Sequence, residues 1–285
     1  MSSKIEWTDE TWNPITGCTP ISEGCTHCYA KRMATRLRGR CGYPADDPFR
    51  VTGHPARLYQ PFRWKKPRRI FVCSMGDLFH EDVTWWYKEN VMYACLENPQ
   101  HTFIVLTKRP ERMQNFLASF YNLKKIEHPI QNLWLGVTAE NQQRADERIP
   151  ILLQIPAAKQ FVSIEPMLGP VDIYQSQPRP FIDWIIVGGE SGPGARPMHP
   201  DWARSVRDQC VEASVPFFFK QWGEWLPDDF GTVCPSGATP KRCWIIPSGE
   251  AFDYSYPYQN PVQMMMTGKK AAGRLLDGRE WKEMP

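Results

Sequence analysis

The sequence predicts an α/β fold: a full or partial (β/α) barrel of about six to seven βα units over residues 1–225, followed by an irregular extension over 226–285. Three observations predict it. Short apolar, β-rich runs recur with centres about 24 to 33 residues apart. The intervals between them hold helical patterns. Each run stops in a charged residue, and in (β/α) barrels the C-terminal strand ends are where an active site gathers.

The elements follow in chain order. WNPITGC, residues 12–18, is a weak first strand. After the cysteine loop, YAKRMATRLRG places Tyr29, Met33 and Leu37 four apart with basic residues between, an amphipathic helix ending near Gly39. Residues 40–68 are rich in Pro and Gly and read as an ordered, basic insertion. The runs RRIFVCSMGD, HTFIVLTKR, NLWLGVTAE, KQFVSIEP, DWIIVGGE and PFFFKQWGE are the remaining strands. Their continuous apolar character implies a parallel sheet buried on both faces. WWYKENVMYACLEN, PERMQNFLASFYNL and NQQRADERIPILLQI are helical patterns between them. The strand-end residues are Asp77, Lys108, Glu140, Glu165, Glu190 and Lys220. Past Trp225 the rhythm fails, and a β-rich covering segment is expected.

The chain of 285 residues is 42% hydrophobic and 23% charged, enough for a sizeable core. Its polar start, MSSKIEWTDETWNP, predicts no secretory leader. No apolar run reaches the roughly 18 residues of a membrane span, so a cytoplasmic protein is expected. The net charge of +3 conceals an asymmetry. Residues 31–69 hold twelve Lys or Arg against Asp46 and Asp47, ten net positive charges, so the remainder carries seven net negative. Tyr43, Phe49, Tyr59, Phe62 and Trp64 are interleaved with those cations, a composition that suits phosphates and bases. Lys65, Lys66, Arg68 and Arg69 are the candidate nucleic-acid contacts; a solvated charged face is the plainer alternative.

The chemistry concentrates in GCTPISEGCTHCYA, where Cys18, Cys25 and Cys28 are spaced C-x6-C-x2-C. Nine cysteines with no regular framework, in a chain expected inside the cell, favour metal or redox chemistry over disulfides. Three options stay open. Thiolates hold [4Fe–4S] clusters, usually four of them, and three would leave one iron for an outside ligand. Alternatively, the three bind zinc with His27, Cys41 or His54 as the fourth ligand. Finally, they are small buried side chains with no shared role.

Three cysteines in a loop after the first strand of a (β/α) barrel, with a helix after the last, resemble the radical SAM superfamily. The first gap is longer than that superfamily's usual three residues, and His27 stands where an aromatic residue is common. GCTPISEGCTHCYA, SMGDLFHEDV and GRLLDGREWKEMP resemble more closely a phage-associated three-Cys-motif family without assigned function. The superfamily resemblance implies that Cys18, Cys25 and Cys28 ligate a [4Fe–4S] cluster whose open iron is chelated by S-adenosylmethionine. Reductive cleavage of that cofactor, with an electron from an external donor, then serves hydrogen abstraction. It also implies that Ser74, Met75, Gly76 and Asp77 receive the methionine amino group. Thr138, Glu140 and Asn141 would meet the ribose and carboxylate, and Glu165, Gly188, Gly189 and Glu190 would line the adenosyl region. Lys108, Arg109 and Lys220 would face the substrate, and Cys73 would be a hydrogen donor or a plain core thiol. The expected substrate is a DNA, RNA or nucleotide. A small molecule or peptide substrate, or a non-enzymatic zinc-stabilised nucleic-acid-binding protein, are the alternatives.

Overall fold

The computed structural model describes residues 5–174, 182–228, 241–252 and 261–285. Its elements begin with β1 (Glu10–Trp12), β2 (Ile15–Thr16), α1 (Tyr29–Arg36), β3 (Thr52–Gly53), β4 (Arg69–Val72) and α2 (Trp85–Leu96). They continue with β5 (Thr102–Thr107), α3 (Pro110–Lys124), β6 (Leu133–Thr138), α4 (Gln142–Leu152), β7 (Lys159–Ile164), β8 (Trp184–Gly188), α5 (Pro200–Ala213) and β9 (Phe217–Gln221). Seven strands form one parallel sheet in the order β1-β4-β5-β6-β7-β8-β9. Strands entering in chain order, each joined to the next through a helix or long connection, are the topology of a (β/α) barrel. The order is linear with β1 and β9 at its ends, so this is the partial form. All six apolar runs are strands, and β8 is buried along its whole length, as a strand covered on both faces must be.

The expected first strand is displaced. The residues before Asn13 join the sheet, whereas Ile15–Thr16 turns away to pair antiparallel with β3, inside the basic insertion. The chain forms two compact units: Met1–Ser22, Cys28–Val137 and Arg148–Phe161 make one, and Glu23–His27, Thr138–Glu147 and Val162–Pro285 the other.

In the first unit, Trp12 is fully buried, edge-on to Phe103, with its indole N–H donated to the Arg57 carbonyl at 2.7 Å. Helix α1 buries Ala30 and Ala34 instead of the expected Tyr29 and Met33, which are 49% and 41% exposed. The two small residues form the contact face, so the larger stripe one position away faces outward.

In the second unit, β10 (Trp225–Pro227), β11 (Arg242–Ile245), β12 (Ala251–Phe252) and β13 (Val262–Met266) form an antiparallel sheet in the order β10-β13-β11-β12. The β-rich extension is therefore present, and Met264 and Met265 are part of the core. Residues 229–240, with Cys234, and 253–260 lie outside the described residues. The GREWKEMP ending runs antiparallel beside β9: Phe219 N donates to the Trp281 carbonyl at 3.0 Å, and Phe218 bridges Lys282. Trp184 Nε1 donates to the Glu283 carbonyl at 2.9 Å. That tail satisfies backbone groups a sheet edge leaves open. Among the described residues no helix is long and apolar enough to cross a membrane.

Candidate functional site

The three-cysteine loop starts in the first unit, passes through the second at Glu23–His27 and returns at Cys28. In the first unit both flanks of the loop rest on the segment after β4. Gly17 N donates to the Met75 carbonyl at 2.9 Å, and Gly17 and Gly76 form a parallel bridge. Gly17 has φ +89°, and a Cβ there would overlap the Arg50 carbonyl, so no other residue fits. Asn13 Oδ1 holds the same segment, accepting from Met75 N at 2.8 Å and Ser74 Oγ at 3.2 Å. On the other flank the Tyr29 hydroxyl donates to the Ser74 carbonyl.

Asp77 and Arg109, both buried, fix Cys18 and Thr19. Asp77 accepts from Phe79 N at 2.9 Å, from Thr107 Oγ1 at 2.8 and 2.9 Å, and from Arg109 Nη1 at 3.2 Å. With these donors its carboxylate is occupied by its own chain. Arg109 also donates to Cys18 Sγ at 3.4 Å, Thr19 Oγ1 at 3.0 Å and Glu81 at 3.1 Å. Burial works against the guanidinium charge, but Asp77, Cys18 and Glu81 more than offset it and raise its pKa. Thr19 Oγ1 also meets His80 Nε2 at 2.8 Å, and Lys108 Nζ meets Ser22 Oγ at 3.4 Å. Cys73 is buried at the end of β4, and burial pushes its thiol up to about 12, so it keeps its proton.

In the second unit, Glu23 accepts from Asn141 Nδ2 at 2.6 Å and from Arg144 Nη2 at 3.0 Å. Burial opposes its ionisation, yet Arg144 and Asn141 bring its carboxyl down to about 2. A Cβ on Gly24 would overlap the side chain of the buried Glu140. Thr138 is buried at the end of β6. His27 Nδ1 lies 3.0 Å from Glu190, a buried carboxylate that also accepts from Arg196 Nε at 2.9 Å and Nη2 at 2.7 Å. Burial raises the Glu190 pKa and the Arg196 and His27 bonds outweigh it, leaving it lowered. Arg196 Nη2 reaches on to the Glu23 carbonyl at 3.0 Å. The Glu165 carboxylate and Lys220 Nζ form a bidentate pair at 2.7 and 2.9 Å. Gly188 leaves room for Glu165, and a Cβ on Gly189 would overlap the Trp222 carbonyl.

Cys18, Cys25 and Cys28 are half-buried thiols rather than disulfides. Among the described residues, no three His, Cys, Asp or Glu side chains are gathered as closely as a single metal ion requires. Each of the three thiols is partly open to solvent, and Cys18 Sγ faces an Arg N–H, the kind of contact that stabilises a thiolate. The model of a family described as "Protein of unknown function (DUF5131)" matches residues 2–285. The chain belongs to DUF5131. No curated protein and no solved structure matches it.

The basic insertion of this DUF5131 chain is divided. Arg68 pairs with Glu10 and lies 5.7 Å over the Trp64 ring, and Arg69 pairs with Asp9 at 3.6 Å, whereas Lys65 and Lys66 are exposed. His54 Nε2 meets Thr16 Oγ1 at 2.8 Å, and Cys41 is exposed. A cavity of about 500 Å³, lined by Leu96, His101, Thr102 and Asn132, lies by the starts of β5 and β6, away from these strand-end groups. Sequence reasoning placed Arg109 toward a substrate and did not single out Glu23, His80, Arg144 or Arg196. TKRP after β5 and FHED after Asp77 were the available signals for Arg109 and His80. The partners of Glu23 lie 118 to 173 residues away and leave no local trace.

Proposed function

We propose that this DUF5131 protein is a radical SAM-type iron–sulfur enzyme in which Cys18, Cys25 and Cys28 hold a [4Fe–4S] cluster and S-adenosylmethionine is the second cofactor. One observation carries the reading. The segment after β4, to which the superfamily resemblance gives the methionine end, is hydrogen-bonded to both flanks of the three-cysteine loop. When bound, the cluster supplies the electron for reductive cleavage of the cofactor. The chain's own residues do the rest. Arg109 aims an N–H at the Cys18 sulfur, the kind of outer contact that tunes a cluster. Asp77 and Glu81 hold Arg109 in place. The N–H groups of Met75 and Gly76 are donated to Asn13 and the Cys73 carbonyl, so carbonyl oxygen is what this segment has for the methionine end, and Thr138 and Glu140 are buried polar groups for the nucleoside. The expected substrate is a nucleic acid or nucleotide.

One observation favours a second reading. A histidine whose Nδ1 is fixed by a buried carboxylate presents Nε2 as zinc ligands do, and His27 on Glu190 has that form. Anaerobic reconstitution separates the two. The cluster reading expects a brown protein absorbing near ~400 nm with about four irons per chain, lost on Cys→Ala substitution at 18, 25 or 28. It also expects 5′-deoxyadenosine on reduction with S-adenosylmethionine. A colourless protein that takes up zinc and no iron, and releases zinc on His27→Ala, overturns it.

A further inference from the structure

Residues 54–64 follow a three-residue repeat. Arg57 N donates to the His54 carbonyl at 3.0 Å, Leu58 N to Pro55 at 3.1 Å, Gln60 N to Arg57 at 3.0 Å, Arg63 N to Gln60 at 3.1 Å and Trp64 N to Pro61 at 3.1 Å. Bonds of this i→i+3 type make side chains three apart eclipse. The repeat sorts the segment into rows. Leu58 and Pro61 are buried, and Trp64 packs edge-on to His101 at 6.1 Å, so this row is the anchor. The next row, Tyr59 and Phe62, points outward: Tyr59 is 64% and Phe62 50% exposed, with ring centroids 6.4 Å apart. Arg63 follows in the third row, and Lys65 and Lys66 continue the chain past it; all three are exposed. Between Asp47 and Arg69 the sequence holds no acidic residue.

We infer that this ridge is a binding site for single-stranded nucleic acid, with Tyr59 and Phe62 stacking on bases and Arg63, Lys65 and Lys66 on the phosphates. Two exposed rings one short turn apart, flanked only by cations, match what an unpaired strand offers: base faces and regular negative charge. The exposed apolar surface is aromatic, while the aliphatic Leu58 is turned in, which leaves two ring faces suited to stacking on bases. The site differs from the one the sequence suggested, because Arg68 and Arg69 are spent on Glu10 and Asp9 and Trp64 is an anchor. The inference deepens the nucleic-acid part of the proposed function and makes no use of the thiols. Oligonucleotide binding and cluster assembly therefore fail or succeed separately.

Fluorescence anisotropy of the full chain with a labelled oligothymidylate, its duplex form and anionic lipid vesicles tests it. The single strand should bind more tightly than the duplex, with affinity falling as salt rises. Tyr59→Ala with Phe62→Ala should weaken single-strand binding by at least ~10-fold. Lys65→Ala with Lys66→Ala should reduce the slope of log affinity against log salt by about 1.4. Arg68→Ala with Arg69→Ala should leave that slope unchanged. Circular dichroism melts keep altered binding apart from unfolding, and all five ridge positions are exposed. Undiminished binding by the Tyr59/Phe62 variant, preference for duplex, or vesicle binding lost on the same substitutions overturns the inference.

Discussion

Arg109→Ala is the sharpest test of how the cysteine loop is held. The guanidinium and Asp77 are 6% and 5% exposed, and Arg109 also ties Thr19, Cys18 and Glu81. Removing one partner of a buried pair costs about 3–5 kcal/mol, since the other charge stays behind in a poor environment. Asp77 keeps its Thr107 and Phe79 bonds, which argues for the lower end. Glu81 is half exposed, and its loss adds ~0–1 kcal/mol. A net loss of ~3 kcal/mol lowers the melting temperature by about 6–12 °C for a chain of this class. Thermal unfolding at neutral pH, followed by circular dichroism, reads it directly. Asp77→Asn added to Arg109→Ala should recover part of the loss, because the buried charge is no longer stranded. A melting shift under ~2 °C, or a double variant as unstable as the sum of its parts, refutes the reasoning.

Acid should act in two windows. Burial and Arg57 hold the His54 pKa down to about 4, below its ordinary 6.5, so its neutral form stabilises the fold above pH 6.5 and that contribution is lost as pH falls toward 4. His54→Gln should flatten the loss of stability across that range in denaturant titrations. Glu23 has its carboxyl lowered to about 2, so its contribution is present above the ordinary 4.5 and disappears as pH falls to 2. Glu23→Gln should remove that lower window alone. Gly189→Ala should destabilise by about 1–3 kcal/mol, because a Cβ there meets main chain at Trp222 rather than a movable side chain; an unchanged urea midpoint would contradict it. Glu190→Ala leaves Arg196 without its carboxylate and His27 without its Nδ1 partner, and should lower the melting temperature more than Glu165→Ala, because Glu190 is the more buried carboxylate and holds two side chains where Glu165 holds one.

The sheet was legible because each of its strands is a short apolar run bounded by charge, a local pattern. The six runs from residue 68 onward are six strands, and the patterns between them are helices. The first strand was less so: Trp12 and Ile15 are both buried and apolar, and only a partner 38 residues later, Gly53, draws Ile15 out of the main sheet. Helix α1 was legible as a helix, but its contact face was misplaced by one position, since Ala30 and Ala34 carry little hydrophobic weight in a pattern dominated by Tyr29 and Met33. The strand-end charges lie at or just after the strand ends, and each meets a partner within the chain. Asp77, Glu140 and Glu190 meet residues of the cysteine loop or the arginine that grips it, and Glu165 and Lys220 meet each other. Pairings of that kind depend on long-range closure, and no window of sequence contains both partners. The six-residue first gap makes sense in these terms: Thr19, Ser22, Glu23 and Gly24 are the positions that the strand-end residues contact.

The spacing along the chain of these fastenings sets an order in time. The loop cysteines are synthesised before these partners: Arg109 follows Thr19 by 90 residues and Arg196 follows Glu23 by 173. At about 5–20 residues per second, the Arg109 fastening becomes available about 5–18 s after the loop emerges and the Arg196 one about 9–35 s after it. Until Arg196 is made, the loop has only its earlier partners, among them Phe49, Ser74, Met75, His80 and Arg109, to hold it. Whatever the thiols take up before then meets a loop held by fewer contacts, and whatever arrives later meets one already tied down from both ends.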